Sequence, residues 1–342
     1  MTDRSAPLGI ALLGAGRIGA LHARLIDQRV EGAAVAAVYD PIRSVAEKVA
    51  DGLGGAPVAA TAEQAIDAPG VEAVAICSSA GSHVPLIIAS ARAGKAIFCE
   101  KPLSLDLAEI DRALAAVAEA GVPLQVGFNR RFDPAHRSVR EAVLSGAIGT
   151  PHLVRITSRD PAPPPLEYLK SSGGIFLDQM IHDFDMARYV VGSEVARVFA
   201  TGAVRIDPAI GDLGDFDTAG VVLEHADETL TLIDNSRQAV YGYDQRVEVL
   251  GSEGVAASDN PLNHTGIVRT ADGARAPTLP YFFIERYIPS YIAEWEAFVA
   301  AVQAETEPPV TGADGRAPLV IGQAALRSVS EHRPVDIAEI DP

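Results

Sequence analysis

An apolar run, Leu8 to Leu13, passes directly into Gly14-Ala15-Gly16-Arg17-Ile18-Gly19 and then into a segment with helical apolar spacing, Gly19 to Gln28. A strand, a glycine turn and a helix in immediate succession open a parallel α/β unit. In such a turn the first glycine permits the reversal, the second lets a pyrophosphate approach the backbone, and the third lets the helix pack on the strand. The helix N-terminus then offers unpaired N–H groups to phosphate. A purely structural glycine turn satisfies the same motif taken alone.

The pattern continues. Apolar strands are expected at Val35 to Asp40, Pro57 to Ala59, Ala73 to Ser78, Ala96 to Glu100 and Leu124 to Phe128. Helices are expected between them at Ile42 to Gly52, Ala62 to Asp67, His83 to Ala93 and Asp106 to Ala120, with Asp106 as cap or first-turn residue and Gly121 as the stop. This predicts a Rossmann-type, doubly wound parallel sheet over residues 1–128.

After Asn129 the texture changes. A helix at Pro134 to Ser145 is followed by alternating segments at Leu153 to Ser158, Ala196 to Val204, Thr218 to Leu223, Thr229 to Asn235 and Gln245 to Gly251. Residues 129–342 are therefore expected to form an α+β domain, an open antiparallel sheet flanked by helices, serving substrate binding and oligomerisation. Helices at Tyr287 to Gln303 and Leu319 to Glu331 close the chain as packing elements.

A chain of 342 residues is long enough for two such domains. Its 45 acidic residues against 28 basic ones, a net charge of −17 with no basic stripe, oppose nucleic acid and anionic membrane surfaces as partners. The two cysteines, Cys77 and Cys99, lie in apolar runs and read as buried thiols rather than a disulfide framework. Met1 to Pro7 carries no signal-type pattern, and no window approaches a membrane-spanning length, so a cytoplasmic protein is expected.

Asp40 closes the second strand, where an acid accepts hydrogen bonds from the ribose hydroxyls of NAD and repels the 2′-phosphate of NADP. An aspartate before Pro41 also starts a turn, and the two roles are compatible. Open sheets bind ligands beyond the carboxyl ends of their strands, which adds Ser78, Glu100 and Lys101 to Gly14, Gly16, Arg17, Ile18, Gly19 and Asp40 as expected cofactor contacts. Lys101, in Glu100-Lys101-Pro102, is also placed to stabilise alkoxide-like charge on a reacting hydroxyl. Farther on, paired glycines, Gly173 and Gly174, lead into an apolar segment in which Asp178, His182 and Asp185 share one face of a predicted helix. A polar stripe in so apolar a segment suits proton transfer, with the imidazole as base and a carboxylate orienting it. A solvated or salt-bridged face is the plainer alternative. No metal is expected, since cysteine ligands and a second histidine at useful spacing are missing.

The order of these motifs resembles the glucose-fructose oxidoreductase/inositol dehydrogenase family over nearly the whole chain. The resemblance implies a Rossmann domain joined to an open sheet domain and a catalytic set of Lys101, Asp178 and His182. Ser158-Arg159-Asp160-Pro161, the stretch from Gly173 to Tyr189, and Tyr241-Gly242-Tyr243-Asp244 look most like the bacterial inositol 2-dehydrogenases. By that resemblance Asn129, Arg130, Asp160 and Tyr241 line a polyol pocket together with the catalytic set, Asp185 supports His182, and the chains assemble as homotetramers through the open sheet face.

The expected activity is therefore NAD-dependent oxidation of a cyclic polyol, myo-inositol to its 2-keto product. A linear hydroxy acid is disfavoured, because its carboxylate would meet Asp160 and Asp178. Another inositol isomer or an aldose remains compatible with the same chemistry. A non-catalytic NAD-binding sensor would have no reason to retain the acid–base set.

Overall fold

The computed structural model describes residues 6–341, and the chain divides into two compact units. One comprises residues up to 129 together with 289–317, the other 130–288 together with 318–342. Residues 1–5, the start of the stretch read above as carrying no signal, and residue 342 lie outside the described residues.

The first unit holds a parallel sheet of β1 (Leu8–Leu13), β2 (Ala33–Tyr39), β3 (Ala73–Ile76), β4 (Ala96–Glu100) and β5 (Leu124–Gly127), in the order β2-β1-β3-β4-β5. Every residue of β1, β3, β4 and β5 is buried, as expected when helices cover both faces of a parallel sheet. The connections are α1 (Arg17–Arg29), α2 (Arg43–Gly52), α3 (Ala62–Ile66), α4 (His83–Arg92) and α5 (Leu107–Ala120). Asp106 is the N-cap of α5, its carboxylate accepting from the N–H groups of Ala108 and Glu109, and Gly121 ends the helix with φ +65°.

Two expectations change here. The short strand at Pro57 to Ala59 is reduced to a single parallel bridge between Val38 and Val58, where Pro57 has no N–H with which to extend a ladder. Residues 289–317, read from sequence as part of the second domain, group with the first unit. The cause is aromatic packing, since Trp295 stacks on Phe98 of β4 at 4.3 Å between centroids and Phe298 meets both rings edge-on.

The second unit is built on a sheet of β6 (Pro151–Arg159), β7 (Val195–Ala203), β8 (Thr218–His225), β9 (Leu230–Ser236), β10 (Asp244–Gly251) and β11 (Val255–Ser258). A small hairpin follows, β12 (Val268–Thr270) and β13 (Gly273–Arg275), and the edge strand β14 (Val335–Asp336) completes the order β11-β10-β6-β9-β8-β7-β14. Its pairings are antiparallel except one: β6 and β9 run parallel, so the sheet is mixed rather than wholly antiparallel. A parallel neighbour requires a long crossover, which the residues between β6 and β9 provide.

Helices α6 (Pro134–Leu144) and α8 (Ile181–Val191) cover one face of this sheet, with α7 (Leu166–Ser172) and α9 (Pro208–Asp212) in the connections. Helices α10 (Phe283–Ala304) and α11 (Gly312–Glu331) close the chain. In β9 the strand period of two buries Thr231, Ile233 and Asn235 and leaves Leu230 and Leu232 on the other face, exposed.

Candidate active site

Within the first unit the glycine turn has the geometry a dinucleotide requires. Gly14 has φ +98°, and a Cβ there would stand 2.5 Å from Ser78 N; a Cβ on Gly19 would stand 1.9 Å from Gly14 O. Both positions exclude a side chain. Gly16 is different: a Cβ on it would meet nothing within 4 Å, so its glycine keeps space open rather than relieving a clash. Gly16 is also the N-cap residue of α1, and no side chain caps that helix. Arg17 and Gly16 are exposed and Ile18 half-buried beside this opening. Open room above an uncapped helix start fits a pyrophosphate.

Asp40 follows β2, and its carboxylate ties the glycine turn down: Oδ2 accepts from Ala15 N at 2.8 Å and Oδ1 from Ile42 N at 2.9 Å. A carboxylate accepts about four hydrogen bonds, so capacity remains for two ribose hydroxyls. The observed turn-forming contacts thus leave the expected ribose-reading role open to the same side chain. Ser78 follows β3 and shares a 2.6 Å hydrogen bond with Ser82. Glu100 ends β4, and its Oε2 accepts from Lys101 N at 3.2 Å. Lys101 is half-buried, and the Lys101–Pro102 peptide is cis. Asn129 is buried, and its Nδ2 has no hydrogen-bond partner among the described residues. An unmet buried donor is uncommon and suits a polar ligand.

Within the second unit, the Asp178-to-His182 segment is not the continuous α-helix expected. Gly173 and Gly174 have φ +92° and +77°, Asp215 Oδ1 accepts from Ile175 N, and Ile175–Gln179 then forms a π-turn closed by Met180 N donating to Ile175 O. α8 begins only at Ile181. His182 and Asp185 therefore stand on α8 itself, while Asp178 stands in the wide turn that precedes it. Asp178 is buried, and its Oδ1 accepts from the Tyr168 hydroxyl at 2.9 Å. His182 is half-buried. Both oxygens of Asp185 accept from Arg131, at 2.6 to 3.1 Å, so this carboxylate serves an arginine on the turn before α6.

Arg130 lies deep in the same unit. Its Nη1 donates to Asp183 and Ser158, and its Nη2 to the Tyr243 hydroxyl. Asp160 is held at both backbone ends, by Ser236 O and Ala239 N. Burial pushes its carboxyl up to about 6; Arg130 and Arg237 oppose that shift, and Asp178 and Asp183 add to it. Arg130, Asp160 and Asp178 thus belong to one electrostatic neighbourhood. Tyr241 is half exposed, its hydroxyl donating to Asp244 and accepting from Arg159.

Sequence reasoning gave no role to Asp183, which is fully buried and accepts from Arg130 and Asn235. Its signal was an acid flanked by Ile181, Phe184 and Met186, a position that demands a buried cation. Tyr168 and Tyr243 carried no comparable signal.

A glycine turn open above a helix N-terminus, with an acid at the end of the second strand, defines the class of NAD-binding dehydrogenases. Residues 8–128 match the model of the oxidoreductase family with an NAD-binding Rossmann fold, and residues 136–257 match the GFO/IDH/MocA C-terminal domain. The chain belongs to the GFO/IDH/MocA oxidoreductase family. It is 48% identical to a myo-inositol 2-dehydrogenase of Thermotoga maritima, covering 97% of this chain and 99% of that one. An inositol 2-dehydrogenase of Rhizobium meliloti is 46% identical over 96% of this chain and 98% of its own. A crystal structure of scyllo-inositol dehydrogenase from Lactobacillus casei, with bound NAD(H) and scyllo-inositol, superposes with a TM-score of 0.91 at 28% identity, covering 97% of this chain and 99% of that one. Among the described residues no helix is long and apolar enough to cross a membrane.

Proposed function

We propose that the chain oxidises one secondary hydroxyl of myo-inositol, yielding the 2-keto compound, NADH and a proton. The observation that carries this reading is 48% identity, maintained over 97% of the chain, to a relative named for that reaction. The chemistry of the second unit supports it. Asp160 and Asp178 offer acceptors to ring hydroxyls and would repel the carboxylate of a hydroxy acid.

In this reading His182 takes the hydroxyl proton, Asp178 orients the imidazole, and Lys101 stabilises the negative charge growing on the oxygen. Tyr168 fixes the Asp178 carboxylate. Asn129 and Asp160 hydrogen-bond the ring, and Arg130 acts through the residues it holds in place. NAD supplies the hydride acceptor. A scyllo-inositol substrate is the second reading, because the Lactobacillus casei relative was crystallised with that isomer.

Assembly as a homotetramer in the cytoplasm belongs to the same proposal. Phe199, Leu230, Leu232 and Leu250 are exposed on strands of the second unit, an apolar set that assembly would cover.

The test is initial NADH formation with myo-inositol, scyllo-inositol, glucose, a deoxy-inositol and a hydroxy acid at equal concentrations. Myo-inositol is expected to give the highest kcat/KM. A ring lacking one hydroxyl should lose sharply, because buried polar groups are left unpaired. If glucose or the hydroxy acid outruns every inositol, the cyclitol reading fails and the dehydrogenase assignment stands.

A further inference from the structure

Lys101 lies between two residues that are each tied to a buried histidine. On its N-terminal side, Glu100 Oε1 is 2.7 Å from His22 Nε2, while Glu100 Oε2 accepts from Lys101 N. The other nitrogen of His22, Nδ1, accepts from the indole N–H of Trp295 at 2.8 Å. An indole nitrogen only donates, so Nδ1 carries no proton and Nε2 is the donor to Glu100. Donation thereby runs from Trp295 through His22 to Glu100, whose other carboxylate oxygen accepts from the Lys101 backbone N–H. His22 is fully buried, with Phe98, Tyr291 and Trp295 edge-on around it, so its ring cannot turn without disturbing three aromatic neighbours. Gly127 gives Glu100 its room, since a Cβ there would lie 3.1 Å from Glu100 Oε2.

On the C-terminal side, Pro102 O is 2.8 Å from His83 Nδ1, and His83 Nε2 is 3.0 Å from Ser78 O. His83 is buried at the start of α4. Its ring spans the turns that follow β3 and β4, which carry Ser78 and Lys101. Burial holds the imidazole below its ordinary pKa, so the neutral ring has one N–H for two carbonyl oxygens, and whichever it serves, the ring wedges the two turns at a fixed separation.

We infer that His22 and His83 are positioning residues for Lys101, holding its turn from both sides while touching neither substrate nor cofactor. The inference rests on the reading that Lys101 acts on the reacting hydroxyl. A lysine side chain has four rotatable carbons' worth of freedom, so the precision of its ammonium group depends on how firmly its backbone is fixed. Such support is what holds a reacting group within the fraction of an ångström that turnover requires.

The experiment is a pair of mutant cycles read by single-turnover NADH formation with myo-inositol at enzyme excess. His22→Ala and His83→Ala are made alone and in a Lys101→Met background, with His22→Gln and Trp295→Phe as milder partners. Each alanine variant is expected to lower the hydride-transfer rate roughly tenfold or more in the native background and to add little once Lys101 is gone. His22→Gln, which keeps a donor near Glu100, should recover part of the rate. Trp295→Phe keeps the stacking and frees the His22 tautomer, so it should lose less than His22→Ala; it also serves as the probe if His22→Ala does not fold. NAD affinity by calorimetry should stay nearly constant for the His22 variants and weaken for His83→Ala, which also releases Ser78. Equal rate losses with and without Lys101 would overturn the inference and leave the lysine reading intact. A Lys101→Met enzyme with native turnover would instead remove the lysine reading, and the inference with it.

Discussion

Arg130 Nη1 donates to Asp183 Oδ1 at 2.7 Å with both side chains buried, and Asn235 Nδ2 donates to the other carboxylate oxygen at 2.8 Å. Burial pushes the Asp183 carboxyl up, and Arg130 is the largest influence opposing it. Such a pair is costly to break from one side, because the surviving charge is left in a medium that cannot solvate it. Arg130→Met should therefore lower the unfolding free energy by about 3–5 kcal/mol. Adding Asp183→Leu should restore part of that loss. Urea unfolding measures both, and an unchanged midpoint in Arg130→Met would show that the pair contributes nothing net.

Asp40→Ala should weaken NAD binding for two reasons that separate experimentally. The ribose loses its acceptor, and the glycine turn loses the tie from Ala15 N. The selectivity gap to NADP should narrow, because the carboxylate no longer repels a 2′-phosphate. Asp40→Asn keeps an acceptor for Ala15 N, so it should retain more NAD affinity than alanine while also narrowing the gap. An unchanged ratio of NAD to NADP affinity in both variants would remove Asp40 from the adenosine end.

The first unit was legible in sequence because its signals are local. Leu8 to Leu13, the glycines at 14, 16 and 19, and Asp40 lie on consecutive elements whose order dictates their meeting. Trp295 was assigned to the wrong unit because stacking on Phe98 is a tertiary event between distant segments that helical spacing does not encode. The parallel β6–β9 pairing was hidden for a similar reason, since alternation reports a half-buried strand and is silent about its direction. Around His182 the residue types were legible and the local helix type was not. The π-turn at Ile175–Gln179 arises from Gly173, Gly174 and the Asp215 contact, and counting by 3.6 residues ignores it. Asp185 shows a further limit: its ion pair with Arg131, fifty-four positions away, has no signal in the local pattern.

His182→Ala is expected to lower kcat by about 100-fold to 10,000-fold, the range removed with a general base. NAD affinity should change little, since the residues proposed to hold the ribose and pyrophosphate belong to the first unit. Binding measured by calorimetry alongside turnover separates these effects. A parallel loss of NAD affinity and turnover would point to a structural role for this histidine.

Asp160 predicts a pH dependence in both stability and substrate use. Its carboxyl sits at about 6, raised first by burial, against about 3.9 in an unfolded chain. The folded protein therefore keeps a proton that the unfolded chain has released, and stability must fall as the pH rises between those two values. The contribution is complete below about pH 4 and lost by the time pH has passed 6. Asp160→Asn cannot titrate, so its stability should be flatter over this window, and the variant should gain on the native protein by up to about 2–3 kcal/mol between pH 4 and 7. Catalysis should register the same ionisation. Below pH 6 the carboxyl can donate to a ring oxygen, and above it accepts only, so log kcat/KM for myo-inositol should bend near pH 6 and the bend should vanish in Asp160→Asn. Urea unfolding at several pH values and a kcat/KM profile from pH 5 to 9 test the two halves separately. A bend near pH 6 that persists in Asp160→Asn would assign the ionisation to another group and leave Asp160 with a structural role in the turn between Ser236 and Ala239.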